Sequence, residues 1–408
     1  MATLAVSAAG DGGRVHRPGL LGALLGLAGL LAGDFLTVRP NRLAPGEALS
    51  LFQALVPWQW SLLLAGFALL ALCSLGEDPP AGRGPSFRAV AGLVLVPVLC
   101  LGLLACQGMA ATASLDSANP FMRASMGQAL WLALLGLLIA FTDALRRASW
   151  VDPWKSGLAR GMVLAGFAAG LGLLIASGGL AELSLAKEFL GRERRFFMEL
   201  QAHLFITGVS VASAALVGLP LGVMAYKWTR VRNAAFSVLN IVQTIPSLAL
   251  FGLLIAPLAW LSAALPWLRE AGVRGIGWAP AVIALGLYAL LPIVRNTFAG
   301  FERVSPEVIE AGRGMGMSRM TLFFKVELPV ASPIILNGLR IAGVQNMGNT
   351  AVAALIGAGG FGVFIFQGLG QAAIDLVMLG AVPTILLAVA LDLLFQTLTR
   401  ILTPRGLE

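Results

Sequence analysis

The sequence has little charge and few chemically reactive side chains. Only 12% of its 408 residues are charged, about half the share of roughly 25% that is usual in soluble globular proteins. Its two histidines and three cysteines are not spaced like metal ligands. No G-x-x-x-x-G-K-[ST] loop, nucleophile elbow or carboxylate pair is evident. We therefore expect no enzyme, and no metal or cofactor bound by this chain.

Long apolar runs are what the sequence has in place of charge. Hydrophobic residues make up 58% of the chain, and several runs reach the ~20 residues that a helix needs to cross a bilayer. The pattern predicts an all-α polytopic membrane protein with about ten transmembrane helices. The predicted spans are 19–35, 58–75, 89–107, 128–145, 160–182, 203–226, 234–258, 278–296, 335–357 and 374–399.

The first apolar run has two interpretations. It follows Arg14 and Arg17 and ends near Ala32 and Gly33, as a signal peptide would. The residues before a cut there make a poor cleavage site, so we favour a retained membrane anchor.

Basic residues are distributed unevenly between alternating loops. With the N-terminus inside, nineteen of the 28 Lys and Arg residues fall in inside loops and nine in outside loops. By the positive-inside rule, both termini and the segment 301–333 are cytoplasmic in a bacterial inner membrane. The net charge of +8 follows this topology, so we do not expect a nucleic-acid partner.

The spans differ in polarity along the chain. Residues 1–182 form an extension of about five spans with almost no polar residue inside them, as in helices that face lipid or pack. Residues 183–202 are amphipathic and predict a periplasmic interfacial helix that acts as a connector. Residues 203–408 carry polar side chains within spans and form the predicted transport domain. No sequence repeat relates the two halves.

The span predicted at 234–258 is the first candidate wall of a solute path. Asn240, Gln243, Thr244 and Ser247 recur at spacings of three and four residues, on or near one helical face. Pro246 can kink the helix by removing a hydrogen bond. Hydrogen bonding between packed helices explains such residues equally well.

The ninth span is the second candidate wall. Gln345, Asn346 and Asn349 lie within it, and Asn346 and Asn349 share a face. Path lining and packing are again both open. No mid-membrane relay of Asp, Glu or His is present, which argues against a proton-coupled carrier.

The sequence GAGGFG places Gly357, Gly359, Gly360 and Gly362 at the end of the ninth span. It fits G-x-G-x-x-G, but dinucleotide binding requires a strand–turn–helix unit in a soluble domain. A flexible re-entrant turn or periplasmic gate is the better interpretation.

Residues 301–333, which we call the charged island, read FERVSPEVIEAGRGMGMSRMTLFFKVELPVASP between two apolar runs. Ser305 and Pro306 predict the start of one short helix, which glycines end. Ser318 predicts the cap of a second helix, running to about Glu327 before Leu328-Pro329. Two capped helices with small residues are typical of a surface on which another protein docks.

The island contains a spaced motif. Glu310-Ala311-Gly312, three residues, Gly316, nine residues and Val326-Glu327-Leu328-Pro329 resemble the cytoplasmic EAA signature of bacterial ABC importer permeases. Gly312 stands where the second Ala is usual, and Val326 where Ile is usual. Together with its flanks, the stretch 203–405 resembles permeases for glycine betaine, choline and related osmoprotectants, and the extra N-terminal spans resemble the longer, Yeh-type members.

The resemblance implies a type I ABC importer permease core in the C-terminal half. It implies that the chain is not an enzyme and that ATP and Mg bind a separate ATPase subunit. It also implies a periplasmic or lipid-anchored solute-binding protein, a second permease copy and surrounding membrane lipid. The residues it assigns to ATPase coupling are Glu310, Ala311, Gly312, Arg313, Gly316, Leu328 and Pro329.

The resemblance implies that the solute is a quaternary-ammonium osmoprotectant. An amino acid or another small polar solute is the alternative within this class. An ion-coupled secondary carrier and a scaffold that transports nothing are the alternatives from other classes.

Overall fold

The computed structural model describes residues 17–42, 44–75, 86–116, 119, 121–148 and 153–403. The chain divides into two compact units, Met1–Leu190 and Gly191–Glu408, which we call the N-terminal and C-terminal units. This division falls inside the connector predicted at 183–202.

In the described part of the N-terminal unit, apolar helices alternate with short strands. The helices are α1 (Arg17–Ala32), α2 (Leu51–Ala54), α3 (Pro57–Ser74), α4 (Phe87–Ser114), α5 (Gln128–Arg147), α6 (Pro153–Ala176) and α7 (Ser184–Leu190). The strands are β1 (Asp34–Arg39), β2 (Glu47–Ser50) and β3 (Arg123–Met126).

The three strands form an antiparallel sheet in the order β2-β1-β3. Leu36 pairs with Met126 across one edge of β1, and Thr37 pairs with Ala48 across the other. The side-chain amide of Gln107 in α4 donates to the Phe35 carbonyl at 2.6 Å. The sheet was not predicted, because β1 directly follows a long apolar run and the first part of β1 was assigned to the first span.

Helices α1 and α5 approach each other at facing glycines. A Cβ on Gly22 would lie 2.4 Å from the Gly136 carbonyl oxygen, and a Cβ on Gly136 would lie 2.3 Å from the Gly22 carbonyl oxygen. Membrane helices pack in this way because small residues let their backbones come close. The contact joins the first span to the fourth.

The C-terminal unit is helical in its described part. Its helices are α8 (Glu193–Lys227), α9 (Thr229–Thr244), α10 (Ser247–Ala264), α11 (Pro266–Glu270), α12 (Trp278–Glu302), α13 (Pro306–Gly314), α14 (Arg319–Leu322), α15 (Leu328–Ala353), α16 (Gly362–Gly370) and α17 (Ile374–Leu402). A π-helical turn, Phe323–Glu327, joins α14 to α15, and a 3₁₀ turn, Ala354–Ile356, follows α15.

Helix α12 is the buried centre of this unit, with α8 and α15 packed against it. A Cβ on Gly222 of α8 would lie 2.5 Å from Thr297 Cβ, and a Cβ on Gly338 of α15 would lie 2.9 Å from the Pro292 carbonyl oxygen. Glycines therefore set the spacing of both neighbours of α12.

The all-α membrane fold with about ten spans is confirmed. Eight described helices are long and apolar enough to cross a bilayer, and Pro18–Ala32 and Gly161–Ala176 are shorter apolar helices. Of the basic residues used for orientation, Arg14, Arg83 and Arg405 lie outside the described residues.

The span predicted at 234–258 is wrong as a single kinked helix. The chain forms α9 and α10, separated at Ile245 and Pro246. Ile245 is extended, with φ −73° and ψ 125°, because a following proline disfavours helical backbone in the residue before it. The proline breaks the helix instead of bending it.

The single helix predicted over 183–202 is also wrong. Helix α7 ends at Leu190, and the residues from Glu193 onward begin the 35-residue helix α8. The second half of the predicted connector is therefore the first part of a membrane-spanning helix.

We predict that Gly136→Ala destabilises the protein by roughly 1–3 kcal/mol, because the new methyl would meet backbone that cannot move aside. Gly166→Ala in α6 is the matched control, because a Cβ there meets nothing within 4 Å. Thermal unfolding of the purified protein measures both. An equal effect of the two changes would contradict the close α1–α5 contact.

Candidate functional site

The first helix of the charged island forms as predicted. Helix α13 starts with Pro306 in its first turn, and Glu307 lies near its positive end. Ser305 occupies the cap position, but its side chain makes no capping hydrogen bond, so that detail was wrong. Gly316 ends the segment in the left-handed region at φ 79°, which favours glycine.

Gly312 explains the departure from the usual second alanine of the motif. It is the buried residue of α13, and a Cβ there would lie 2.5 Å from Leu322 Cδ1. Because there is no side chain at this position, α13 can lie directly on α14. The glycine therefore suits the way this island packs on itself.

The second helix begins as predicted but does not end as predicted. The Ser318 hydroxyl accepts the Thr321 N–H at 3.2 Å. From Arg319 the helix continues through the π-helical turn into α15, without a break at Leu328-Pro329. Pro329 lacks an N–H, and the wider turn just before it keeps the chain helical. The helix therefore continues into the ninth span at the point where its end was predicted.

Aromatic rings hold this connection against α8 and α12. Phe301 and Phe323 stack with centroids 5.5 Å apart, and Tyr226 lies 5.8 Å from Phe301. The Lys227 ammonium sits 5.5 Å over the Phe323 ring. Leu328 packs into the same cluster, and Leu328 and Pro329 are both half-buried. These last two motif residues are placed to anchor the island.

The opposite side of the island is open. Glu310, Ala311, Arg313 and Gly316 are exposed. The large apolar side chains Met315 and Met320 are also exposed, at 71% and 67%. Exposed methionines beside small residues form an adaptable apolar surface that a partner protein can cover.

The polar stripe predicted in 234–258 does not lie on one helix. Gln243 of α9 donates its side-chain amide to the Tyr288 carbonyl at 2.7 Å. Asn240 and Thr244 are exposed on α9, while Ser247 starts α10 and is half-buried. Each residue therefore faces different surroundings.

Tyr288 stabilises the break between α9 and α10, a role that sequence reasoning did not assign. Its hydroxyl donates to the carbonyl of Ile245, in the extended stretch that includes Pro246. A backbone carbonyl outside a helix needs a partner when it lies within a membrane. The packing of α9 and α10 on α12 supplies one.

Asn346 is fully buried between helices and does not face an open surface in this structure. Its side-chain amide donates to the Ser210 hydroxyl and to the Leu285 carbonyl, both at 3.0 Å. The hydroxyls of Thr207 and Thr350 are 2.8 Å apart beside it. These contacts fit the packing alternative for Asn346.

Gln345 and Asn349 are placed differently from Asn346. Gln345 is exposed and Asn349 is half-buried. Their positions are compatible with the path-lining alternative.

The glycine turn after α15 adopts the backbone that its composition predicts. Gly357, Gly359 and Gly360 have positive φ values of 75°, 86° and 87°. A Cβ on Gly362 would lie 1.7 Å from the Ala351 carbonyl oxygen. Side chains at these four positions would be strained or would clash.

Glu199 and His203 of α8 hold this turn. The Glu199 carboxylate accepts the Gly360 N–H at 2.8 Å, and His203 Nδ1 accepts the Phe361 N–H at 3.3 Å. His203 Nε2 then donates to the Met347 carbonyl at 3.0 Å. The four-residue spacing of Glu199 and His203 could have indicated a shared face. The turn is tied down at several points, not free as expected.

An ion pair joins α15 to α17, the ninth and last spans. Arg340 Nε and Nη2 donate to Asp392 Oδ1 and Oδ2 at 2.5 and 3.0 Å, and the Gln396 amide donates to Oδ2 at 2.6 Å. Arg340 is one of the nineteen basic residues counted above in inside loops, and the structure corrects this assignment, because Arg340 lies within α15.

Among the described residues, no group of three or more His, Cys, Asp or Glu side chains could hold a metal ion.

Two families match different parts of the chain. Residues 16–186 match the N-terminal domain of the ABC transporter permease YehY. Residues 216–406 match the inner membrane component of binding-protein-dependent transport systems.

Curated relatives match about half of this chain and most of their own length. The osmoprotectant import permease protein OsmW of Salmonella typhimurium is 40% identical over 206 residues, which cover 50% of this chain and 91% of that protein. The glycine betaine/carnitine/choline permease protein OpuCB of Bacillus subtilis is 35% identical, with 50% and 88% covered. The choline permease protein OpuBB of the same organism is 34% identical, with the same coverage.

Among solved structures, the inward-facing MetNI methionine ABC transporter is similar at 24% identity and a TM-score of 0.45. The match covers 52% of this chain and 98% of that one.

We predict that Tyr288→Phe weakens the α9–α10 junction by about 1 kcal/mol, because the Ile245 carbonyl loses its partner. The matched control is Tyr226→Phe, since the Tyr226 ring stacks on Phe301 and its contacts do not depend on the hydroxyl. Thermal unfolding and hydrogen exchange at 245–250 measure the difference. Equal exchange in the two variants would contradict the role of the hydroxyl.

Proposed function

The chain belongs to the inner-membrane permeases of ABC importers, and on that premise we propose that it takes up a quaternary-ammonium osmoprotectant such as glycine betaine or choline. It is a multi-pass, non-enzymatic membrane subunit of a transporter that also has an ATPase and a solute-binding protein. The names of the curated relatives support this solute class, since they include osmoprotectant, glycine betaine and choline permeases.

The charged island is the surface on which the ATPase docks in this proposal. Its exposed side combines Glu310, Ala311 and Arg313 with the methionines Met315 and Met320. This exposed surface is the main support for placing the ATPase docking site on the island. Its buried side joins α15 without a break. Movement of a bound partner would therefore act directly on a membrane-spanning helix.

Orientation follows from the same assignment. The island lies in the cytoplasm with both termini, as the Lys and Arg distribution favours. The glycine turn at 357–362 then lies on the periplasmic side, where the solute-binding protein delivers its cargo. A second copy of the chain completes the path, and ATP and Mg bind the ATPase.

The docking surface makes a direct prediction. Met315→Glu places a charge in the centre of the exposed apolar surface, and we expect it to abolish copurification with the ATPase and solute uptake. Met315 is 71% exposed, so insertion and thermal stability should stay at the wild-type level.

Met198→Glu provides the control for this change, because Met198 is a 61% exposed methionine near the start of α8. It should copurify with the ATPase normally. Normal copurification of the Met315 variant would overturn the docking assignment.

The solute class is tested by uptake. In proteoliposomes that contain the chain, its ATPase and its binding protein, we expect ATP-dependent uptake of labelled glycine betaine or choline, and none when the ATPase is left out. Uptake without the ATPase would indicate a stand-alone carrier. Uptake of amino acids alone would contradict the solute class.

A further inference from the structure

The Arg340–Asp392 ion pair lies far from either end of its helices. Asp392 is about ten residues from the end of α17 at Leu402, or roughly 15 Å at 1.5 Å per residue. It is about eighteen residues, or roughly 27 Å, from the other end at Ile374. Helix α17 is about 43 Å long and the hydrocarbon core of a bilayer about 30 Å thick, so a core that α17 spans completely contains the pair.

The pair is not sealed within the protein. The Arg340 and Asp392 side chains remain 34% and 29% exposed on the surface of the C-terminal unit. Charged groups at this depth are costly against lipid and normally face a protein interior or a water-filled path. Their surface should therefore line a path through the transporter.

The exposed faces of α15 and α17 differ in polarity, and this difference also indicates a watery path. On α17 the exposed side chains from Ile385 to Leu394 are all apolar, as lipid requires, and exposed polar side chains follow only nearer the helix end, at Thr397 and Arg400. On α15 the exposed positions at spacings of three and four residues are Ile341, Gln345 and Gly348. A glutamine and a glycine on the exposed face further along α15 favour a watery surface there.

The chemistry of the pair suits a solute with one positive and one negative group. Arg340 uses two of its five N–H groups on Asp392, so others remain for a carboxylate. Asp392 offers a negative charge to a trimethylammonium group. Phe395 lies one turn further along α17, and its ring reaches to 3.8 Å from where a Cβ on Gly343 would be. An aromatic face can add cation–π attraction.

We propose that Arg340, Asp392 and Phe395 form a binding station within the membrane for a zwitterionic quaternary-ammonium solute. Arg340 binds the carboxylate, while Asp392 and Phe395 bind the trimethylammonium end. Because the pair is neutral overall, a zwitterion adds no net charge, whereas a simple cation such as choline places its charge beside Arg340 without a carboxylate to offset it. The station therefore prefers glycine betaine to choline. This inference rests on the proposed function.

Binding to the permease–ATPase complex in nanodiscs, without the solute-binding protein, tests the station. The probes are labelled glycine betaine and labelled choline. We expect the wild-type complex to prefer glycine betaine. Arg340→Gln should weaken glycine betaine binding roughly tenfold, as expected for loss of one charge-assisted contact, and should not weaken choline binding. Asp392→Asn should weaken the binding of both solutes.

Arg195→Gln is the matched control, because it makes the same change in the Arg195–Glu199 ion pair of α8 and should leave the preference unchanged. The double variant Arg340→Gln/Asp392→Asn removes both charges, so it leaves no lone charge in the membrane if a single variant fails to fold. It should bind both solutes weakly and without preference.

Equal loss of both solutes in Arg340→Gln would identify a purely structural ion pair and overturn the station. A double variant that still prefers glycine betaine to choline as the wild type does would also overturn the station. A complete wild-type transporter that takes up neither solute would overturn the proposed solute class and the station together. Wild-type uptake with unchanged preference in every variant would overturn the station alone.

Discussion

A membrane interior supplies no water to hydrogen-bond exposed backbone, and the described breaks in the C-terminal unit are arranged around that constraint. Between α9 and α10, the Tyr288 hydroxyl donates a hydrogen bond to the Ile245 carbonyl. In the glycine turn after α15, Glu199 and His203 accept hydrogen bonds from backbone N–H groups. Interruptions that look like weak points in the sequence are thus held by neighbouring helices. Both elements that hold them, α8 and α12, are packed together through glycine contacts.

The continuity of the island with α15 connects the parts that matter for transport. The helix runs from Arg319 through the π-helical turn to Ile356, past Arg340 and the buried Asn346. A force applied at the exposed Met320 would reach groups inside the membrane through one continuous helix, with no turn between them. The stacked rings of Phe301 and Phe323 hold the π-helical turn against α12. In the proposed function, the π-helical turn is therefore the segment that links the ATPase docking surface to the membrane-spanning part of α15.

Prediction from sequence succeeded where the signal is local. Ser318 capping, Pro306 in a first turn and the left-handed Gly316 all follow from the intrinsic preferences of single residues. The apolar spans follow from bilayer thickness alone. The EAA spacing could be recognised because its residues are contiguous on one segment. The helix break at Pro246 was anticipated only as a kink, because the proline acts locally on Ile245 but the Tyr288 hydroxyl that satisfies the Ile245 carbonyl comes from α12.

The chain alone was enough to infer the membrane fold, the Ser318 cap, the glycine turns and the likeness to ABC permeases, since each depends on residues near one another in the chain. Tertiary structure alone decided which polar side chains are buried and which are open. Asn346 and Gln345 are adjacent in sequence, yet one joins three helices and the other faces outward. Arg340 and Asp392 are 52 residues apart, and only the packing of α15 on α17 makes them a pair. Hydrogen bonding inside a membrane depends on which helices meet, and periodicity within one helix carries no information about its neighbours.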